Sequence, residues 1–501
     1  MNNPRPTENR QQIIKNSTRY FFATFIGQGV GLIRSIWIPI LFTPAQLGVW
    51  NLMNVVVGYG SNIHLGMLHG MNKLIPVLRG QGRLAEAEDI KNSVFWANAF
   101  LSTVGFACIW SASYFLQPAY QMPLKVTAVV VLFSCFFYYA FSLLRADNRF
   151  KVLSVGVGGL SILSTFFVLT LAYFFPDRLI GALIGLAVAY FLVVLYWFWT
   201  GRYGYGFQVK INAVRVSFAA GAPLLILGVL DSLFLSIDRL VIVAKLDVTV
   251  LGYYALAIMA SSLIGIVPGS IASVIYPKML ERFGKEGSAV ALRSLMIGPG
   301  RAIAVVMTLI IGGAVLVLPL FVRVFVPKYL PSVPLFNILI PAAFFYTTAS
   351  IPGSFIIAVN KQKMLILIQV VAICLAFLFD ILAIKMGLGV VGIAWSTAAA
   401  YAVYGISYVA IAVYYVFDLR SDRVNFFIEV YGLFVAMVLG LIIARWLLPA
   451  GETLGSMVAL TGLRLILFFV VLLPALWWSN YRGNLFAVVR EVFHSFVNRK
   501  K

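Results

Sequence analysis

The chain has 501 residues, 61% of them hydrophobic and 11% charged, with 38 Lys plus Arg against 17 Asp plus Glu and a formal net charge of +21. Soluble chains carry roughly 25% charged residues, so this composition cannot supply the polar surface of several soluble domains. A bilayer span takes about 20 apolar residues; fourteen spans would use about 280, leaving almost nothing for a soluble domain.

In chain order, apolar runs long enough to cross a bilayer fall near residues 18–42, 46–69, 92–116, 122–146, 152–175 and 179–200. A second set follows at 217–244, 250–277, 294–322, 333–357, 363–384 and 389–416, and two more at 427–447 and 457–478. They lack the period-two alternation of barrel strands, so they are expected to be helices in an all-α integral membrane protein of about 14 spans. The first run is too long for a signal peptide, contains Arg34 and shows no small-residue cleavage site. After the last run, Leu485, Val489, Val492, Phe493 and Phe496 recur at helical spacing beside Arg490, Arg499, Lys500 and Lys501. That pattern predicts a helix lying on the membrane surface, the alternative being a solvated tail.

A balance of +21 raises the question of a nucleic-acid partner, and the placement of the cations answers it. With the N-terminus in the cytoplasm, 27 of the 38 basic residues fall in inside segments. Seven fall outside (Lys125, Arg178, Lys245, Arg323, Lys328, Lys385 and Arg445) and four within spans (Arg34, Arg239, Arg301 and Arg464). This is the positive-inside bias of a multi-pass protein, and it predicts both termini in the cytoplasm and no nucleic-acid role.

A weak internal repeat sets the expected organisation. Leu47-Gly48-Val49-Trp50-Asn51-Leu52 aligns with Leu251-Gly252-Tyr253-Tyr254-Ala255-Leu256, and Gly181, Ala187, Ala189 and Tyr190 align with Gly392, Ala398, Ala400 and Tyr401. The matches keep order and topology, which predicts two pseudo-symmetric six-helix lobes, residues 1–212 and 213–416, with residues 417–501 adding two spans and the basic tail.

Enzyme chemistry is not indicated. No phosphate-cradling Gly-x-x-x-x-Gly-Lys-Ser/Thr run occurs, Cys108, Cys135 and Cys374 lie apart inside apolar runs, and His64, His69 and His494 form no His-Glu-x-x-His pattern. No metal or cofactor is expected.

Ionisable groups at membrane depth are costly, which makes them functional candidates. Arg34 lies deep in the first span, between the small-residue run Gly27-Gln28-Gly29-Val30-Gly31 and Pro39; it is a candidate contact for an anionic substrate or a structural ion-pair partner. Arg301, after Gly298-Pro299-Gly300, and Arg239, at the repeat-equivalent place of Arg34, are further candidates, with Lys73 in a cytoplasmic loop. Arg464 is read as structural. Asp231 and Asp238, seven apart and so on one helix face, and Asp380 are candidates for proton or cation coupling or for neutralising an arginine. Asn51 and Asn54 begin a polar stripe on the second span, suited to sugar hydroxyls or to helix–helix hydrogen bonds.

The Leu-Gly-aromatic segments, the Asp238-Arg239 pair before the second copy and the loop Arg79-Gly80-Gln81-Gly82 resemble the multidrug/oligosaccharidyl-lipid/polysaccharide (MOP) exporter superfamily, and within it the bacterial polysaccharide flippases of the Wzx type. The resemblance implies two six-helix bundles around a central cavity working by alternating access in the bacterial inner membrane. Its implied cargo is an undecaprenyl-diphosphate-linked oligosaccharide, with membrane lipids, a glycan polymerase and a chain-length regulator as partners. It implies a cationic cavity in flippases and an acidic one in drug exporters. A cation-coupled multidrug antiporter and a multispan polymerase or ligase are the alternatives.

Overall fold

The computed structural model describes residues 24, 26–201, 206–449, 451 and 453–483. Among these there is no β-strand, and twelve helices are long and apolar enough to cross a membrane, matching the third to fourteenth predicted spans. The first span corresponds to α1 (Ile26–Leu41) and the second to two shorter helices, α2 (Pro44–Gly60) and α3 (Met67–Gly80). The chain is an all-α, multi-pass membrane protein. The amphipathic tail expected over residues 485–501 lies outside the described residues.

The helices group into two compact units, residues 1–236 and 237–501. In the first unit, α5 (Pro118–Ala146) packs against α2, α3, α4 (Leu84–Ala112) and α7 (Arg178–Gly201), while α6 (Phe150–Phe174) runs alongside α7. Phe137 of α5 stacks on Trp197 of α7 at 4.7 Å, and the indole donates to the Val152 carbonyl of α6 at 3.1 Å. Lipid tails are as apolar as leucine, so helix association here depends on shape and close approach, not on the hydrophobic effect. The contact of α3 with α8 (Ile211–Phe234) shows this directly. Gly66 and Gly70 face Ser217 and Gly221, small residues four apart on each segment. A Cβ added to Gly70 would sit 1.9 Å from the Ser217 carbonyl oxygen, and one on Gly221 would sit 1.9 Å from the Gly66 carbonyl oxygen.

Four predicted spans each divide into two helices: 46–69 after Gly60, 217–244 after Phe234, 250–277 at Gly265 and 333–357 at Ala349. The run 46–69 breaks after Gly60, where the side chains of Ser61 and Asn62 both donate to the Gly58 carbonyl at 2.9 Å and Leu65 and Gly66 adopt positive φ. Gly66, at φ +83°, takes the left-handed conformation at little cost, and its N–H donates to His64 Nδ1 at 3.0 Å. The run 217–244 divides into α8 and α9 (Ile237–Lys245). At the break, the Ser236 hydroxyl donates to the Ser232 carbonyl at 2.7 Å and lies 2.8 Å from the Tyr59 hydroxyl, so local side-chain bonds replace the helical ladder.

In the second unit, α13 (Val333–Thr348) packs against α10 (Val248–Ile264), α12 (Arg293–Phe325) and α16 (Gly389–Val416). α15 (Gln362–Lys385) lies against α16 and α9. The helices α17 (Arg420–Leu447) and α18 (Leu454–Gly483) pair and pack on α12, with the fully buried ring of Phe468 pressed over Gly312 and Gly440. Two further helices, α11 (Ile266–Glu286) and α14 (Ser350–Ala358), complete the unit against one another.

Close approach at one glycine and open space at another predict opposite responses. Gly70→Ala should destabilise the folded protein by about 1–3 kcal/mol, the usual cost of overpacking. Gly228→Ala on α8, where nothing lies within 4 Å, should be neutral or slightly stabilising. Thermal unfolding of the two variants in one detergent checks the pair.

Candidate functional site

In the first unit, α1, α2, α6 and α7 enclose a cavity of about 300 Å³ whose lining includes Arg34, Trp50, Asn54, Ser161, Ser164 and Tyr190. Gly27 lets α1 approach α6, since a Cβ there would meet Ser161 Oγ at 2.7 Å. Arg34 is half-buried. Its Nη1 donates to Ser164 Oγ at 2.9 Å, and among the described residues it forms no ion pair. Among the described residues no carboxylate lines the cavity. A guanidinium presents five N–H donors in a planar fork, so most of its capacity is left for a ligand. Asn54 donates to the Trp50 carbonyl at 2.7 Å, which fixes the amide on the cavity side of α2 with its oxygen free of that bond.

Of the substrate contacts expected in this unit, Arg34 and Asn54 come together. Asn51 is buried with its amide oxygen unbonded, and Lys73 is exposed on α3; neither lines the cavity. Ser164 escaped the sequence reading because a lone hydroxyl in an apolar run carries no signal of its own, and Tyr190 was visible only as part of the repeat.

In the second unit, Arg301 of α12 is neutralised. Its Nη2 and Nε lie 2.5 and 2.6 Å from Glu429 Oε2 on α17, and the two side chains are 22% and 6% exposed. A half-paired charge at this depth would be strongly unfavourable, so the contact ties α17 to α12. Glu429 lies just inside the predicted thirteenth span and was the available signal.

The acids cluster elsewhere in the same unit. Asp238 of α9 is buried; it accepts from the Tyr254 hydroxyl, from the Arg239 N–H at 2.7 Å and from Thr397 Oγ1 at 3.4 Å. Tyr254 and Thr397 are themselves 2.9 Å apart. Asp380 of α15 is fully buried beside the Ser396 hydroxyl, and it lies close enough to Asp238 for the two carboxylates to act on each other electrostatically. The Arg239 guanidinium is half-buried, with Nε unbonded and no ion pair among the described residues. Asp231 and Asp238 do not stand on one continuous helix, because the break after Phe234 leaves Asp231 on α8 and Asp238 on α9. No group of three or more His, Cys, Asp or Glu that could hold a metal occurs among the described residues.

The Arg301–Glu429 pair generates a double-variant test. Glu429→Gln alone should cost about 3–5 kcal/mol by stranding a buried cation, and Arg301→Met combined with Glu429→Gln should recover most of it. A thermal-unfolding cycle over the single and double variants measures the coupling.

Residues 40–334, more than half of the chain, match the model of a family described as polysaccharide biosynthesis protein. No curated protein sequence matches the chain. Among solved structures it is similar to the lipid II flippase MurJ in an inward closed conformation, with 13% identity and a TM-score of 0.67 over 90% of this chain and 97% of that one. It is similar to an inward-facing multidrug resistance MATE family transporter of the MOP superfamily, with 14% identity and a TM-score of 0.63 over 80% and 94% of the two chains. A MOP superfamily transporter from Pyrococcus furiosus, described by the reverse polarity of its binding pocket, matches with 12% identity and a TM-score of 0.50 over 83% and 96%. At these identities the likeness is one of fold. The family match over residues 40–334, more than half of the chain, establishes that the chain belongs to the polysaccharide biosynthesis protein family.

Proposed function

We propose that the protein flips a polyprenyl-diphosphate-linked oligosaccharide across the bacterial cytoplasmic membrane by alternating access, in the assembly of a cell-surface polysaccharide such as O-antigen, capsule or exopolysaccharide. The observation that carries this reading is Arg34, a cation in a cavity at membrane depth with, among the described residues, a single neutral hydrogen-bond partner and no carboxylate in the lining. Such a charge costs about 3 kcal/mol or more to place in the bilayer unless a cavity or counter-charge offsets it. A diphosphate supplies that counter-charge, and the guanidinium fork matches its paired oxygens. Asn54 and Trp50 offer an amide and an aromatic face to the sugars.

Family membership and the likeness in fold to a protein named as a lipid II flippase support a lipid-linked saccharide as cargo. A multidrug antiporter reading would place an acid in this cavity, where Arg34 stands instead. With both termini in the cytoplasm, an inside-negative potential of 100 mV favours outward movement of two negative charges by about 4–5 kcal/mol, so transport can proceed without ATP. Asp238 and Asp380 form the pair best suited to bind a proton or monovalent cation and reset the cycle. A polymerase and a chain-length regulator would receive the flipped unit.

In proteoliposomes carrying the lipid-linked oligosaccharide, Arg34→Ala should cut the flipping rate at least about tenfold while the protein inserts normally, and Arg34→Lys should fall between, because it keeps charge and loses the fork. Full activity of Arg34→Ala would sink the assignment. Asp238→Asn and Asp380→Asn should remove the dependence of the rate on an imposed proton or sodium gradient; a gradient response identical to that of the unaltered protein would exclude the coupling role.

A further inference from the structure

A second basic cavity, with no place in the transport reading, lies wholly within the second unit. It is about 260 Å³, sits where α12, α13, α17 and α18 meet, and is lined by Arg323, Arg445 and Arg464 together with Asn337 and Thr461. Arg323 stands near the end of α12, Arg445 near the end of α17 and Arg464 ten residues into α18. Among the described residues, every hydrogen-bond partner of these guanidiniums is neutral. Arg445 Nη2 donates to the Val315 carbonyl at 3.2 Å and to Asn337 Oδ1 at 2.8 Å, Arg464 Nε donates to the Leu448 carbonyl at 2.8 Å, and Arg323 Nη1 lies 3.6 Å from Met457 Sδ. None pairs with a carboxylate among the described residues, whereas Arg301, on the same α12, is paired with Glu429. Glu452, the one acid between Arg445 and Arg464 in sequence, can offset at most one of the three charges.

The position of this cluster runs against the charge logic of the chain. By loop-charge asymmetry this end of the unit faces outward, where only 7 of the 38 basic residues fall; two of those seven converge here with one of the four arginines within spans. Ten residues of helix rise about 15 Å, so Arg464 starts at depth and reaches back to the Leu448 carbonyl in the α17–α18 connection, as a snorkelling side chain does. Arg323, near the end of α12, and Arg445, near the end of α17, thus share one cavity with the guanidinium of Arg464. Like charges sharing one cavity repel, and an anion bound among them would offset that repulsion. The two terminal nitrogens of Arg464, and Nε and Nη2 of Arg323, have no partner among the described residues and can donate to it. The cavity has room for a phosphate and several waters at about 30 Å³ each.

We infer that this cavity is an anion site that binds a phosphate group at the outer face of the membrane, supplied by an anionic phospholipid headgroup or by free phosphate. The site does not depend on the flippase reading, because none of its residues belongs to the Arg34 cavity.

The test uses the full-length protein in phosphatidylcholine nanodiscs, with phosphatidylglycerol or inorganic phosphate added in turn and binding followed by native mass spectrometry and thermal unfolding. The unaltered protein should take up one phosphate-bearing ligand in a saturable step that raises its unfolding temperature. Arg323→Gln, at an exposed position, and Arg323→Gln combined with Arg464→Gln should weaken that step at least about tenfold. Saturable binding of phosphatidylglycerol but not of phosphate assigns the site to a lipid headgroup; binding of both, or of phosphate alone, assigns it to the phosphate group itself. Binding of neither, or binding that is unchanged in the single variant, would overturn the inference.

Discussion

A charge placed in hydrocarbon must be matched inside the protein, exposed to a wet cavity or carried back to the interface, and this constraint organises the molecule more than any single contact. Arg301 is matched by Glu429. Arg464 is carried back to a loop carbonyl. Asp238 is held by a hydroxyl pair and a backbone N–H. Among the described residues, Arg34 has only Ser164 and an open cavity. Sorting the charges in this way separates those that hold helices together from those that await a ligand, and the second group is where function is to be sought.

The backbone serves the same end. Helices in lipid gain little from burying apolar area against one another, so the positions of α3 and α8 are set by glycines that admit backbone to backbone, and those of α12, α17 and α18 by Phe468 over Gly312 and Gly440. Interruptions fall where side chains can replace the lost helical bonds. Ser61, Asn62 and His64 do so between α2 and α3, and Ser236 does so between α8 and α9. The second of these breaks sets Asp238 at the start of its own short helix, against α15 and within reach of Tyr254 and Thr397.

The spans were legible because run length and apolarity are written directly in the sequence. Arg34 and Asp380 were legible as anomalies, charges where none is cheap. Partners were not. Arg301 and Glu429 are 128 residues apart, and no local pattern links them. Tyr254 was visible as part of a repeated Leu-Gly-aromatic segment, yet its bond to Asp238 is a tertiary fact. The break after Gly60 was hidden because Leu65, Gly66 and Met67 continue an apolar run, while the turn is made by side-chain bonds and one left-handed glycine. The three-arginine cavity was hidden for the same reason as the ion pair: Arg323, Arg445 and Arg464 come from three separate spans.

The central claim is that the first unit reads a diphosphate through Arg34, and equilibrium binding tests it without the complications of transport. A short-chain prenyl diphosphate sugar and the matching prenyl monophosphate sugar would be titrated into the unaltered protein and into Arg34→Gln. The account predicts that the unaltered protein prefers the diphosphate at least about tenfold and that the preference collapses in the variant. An equal preference in both proteins would contradict it.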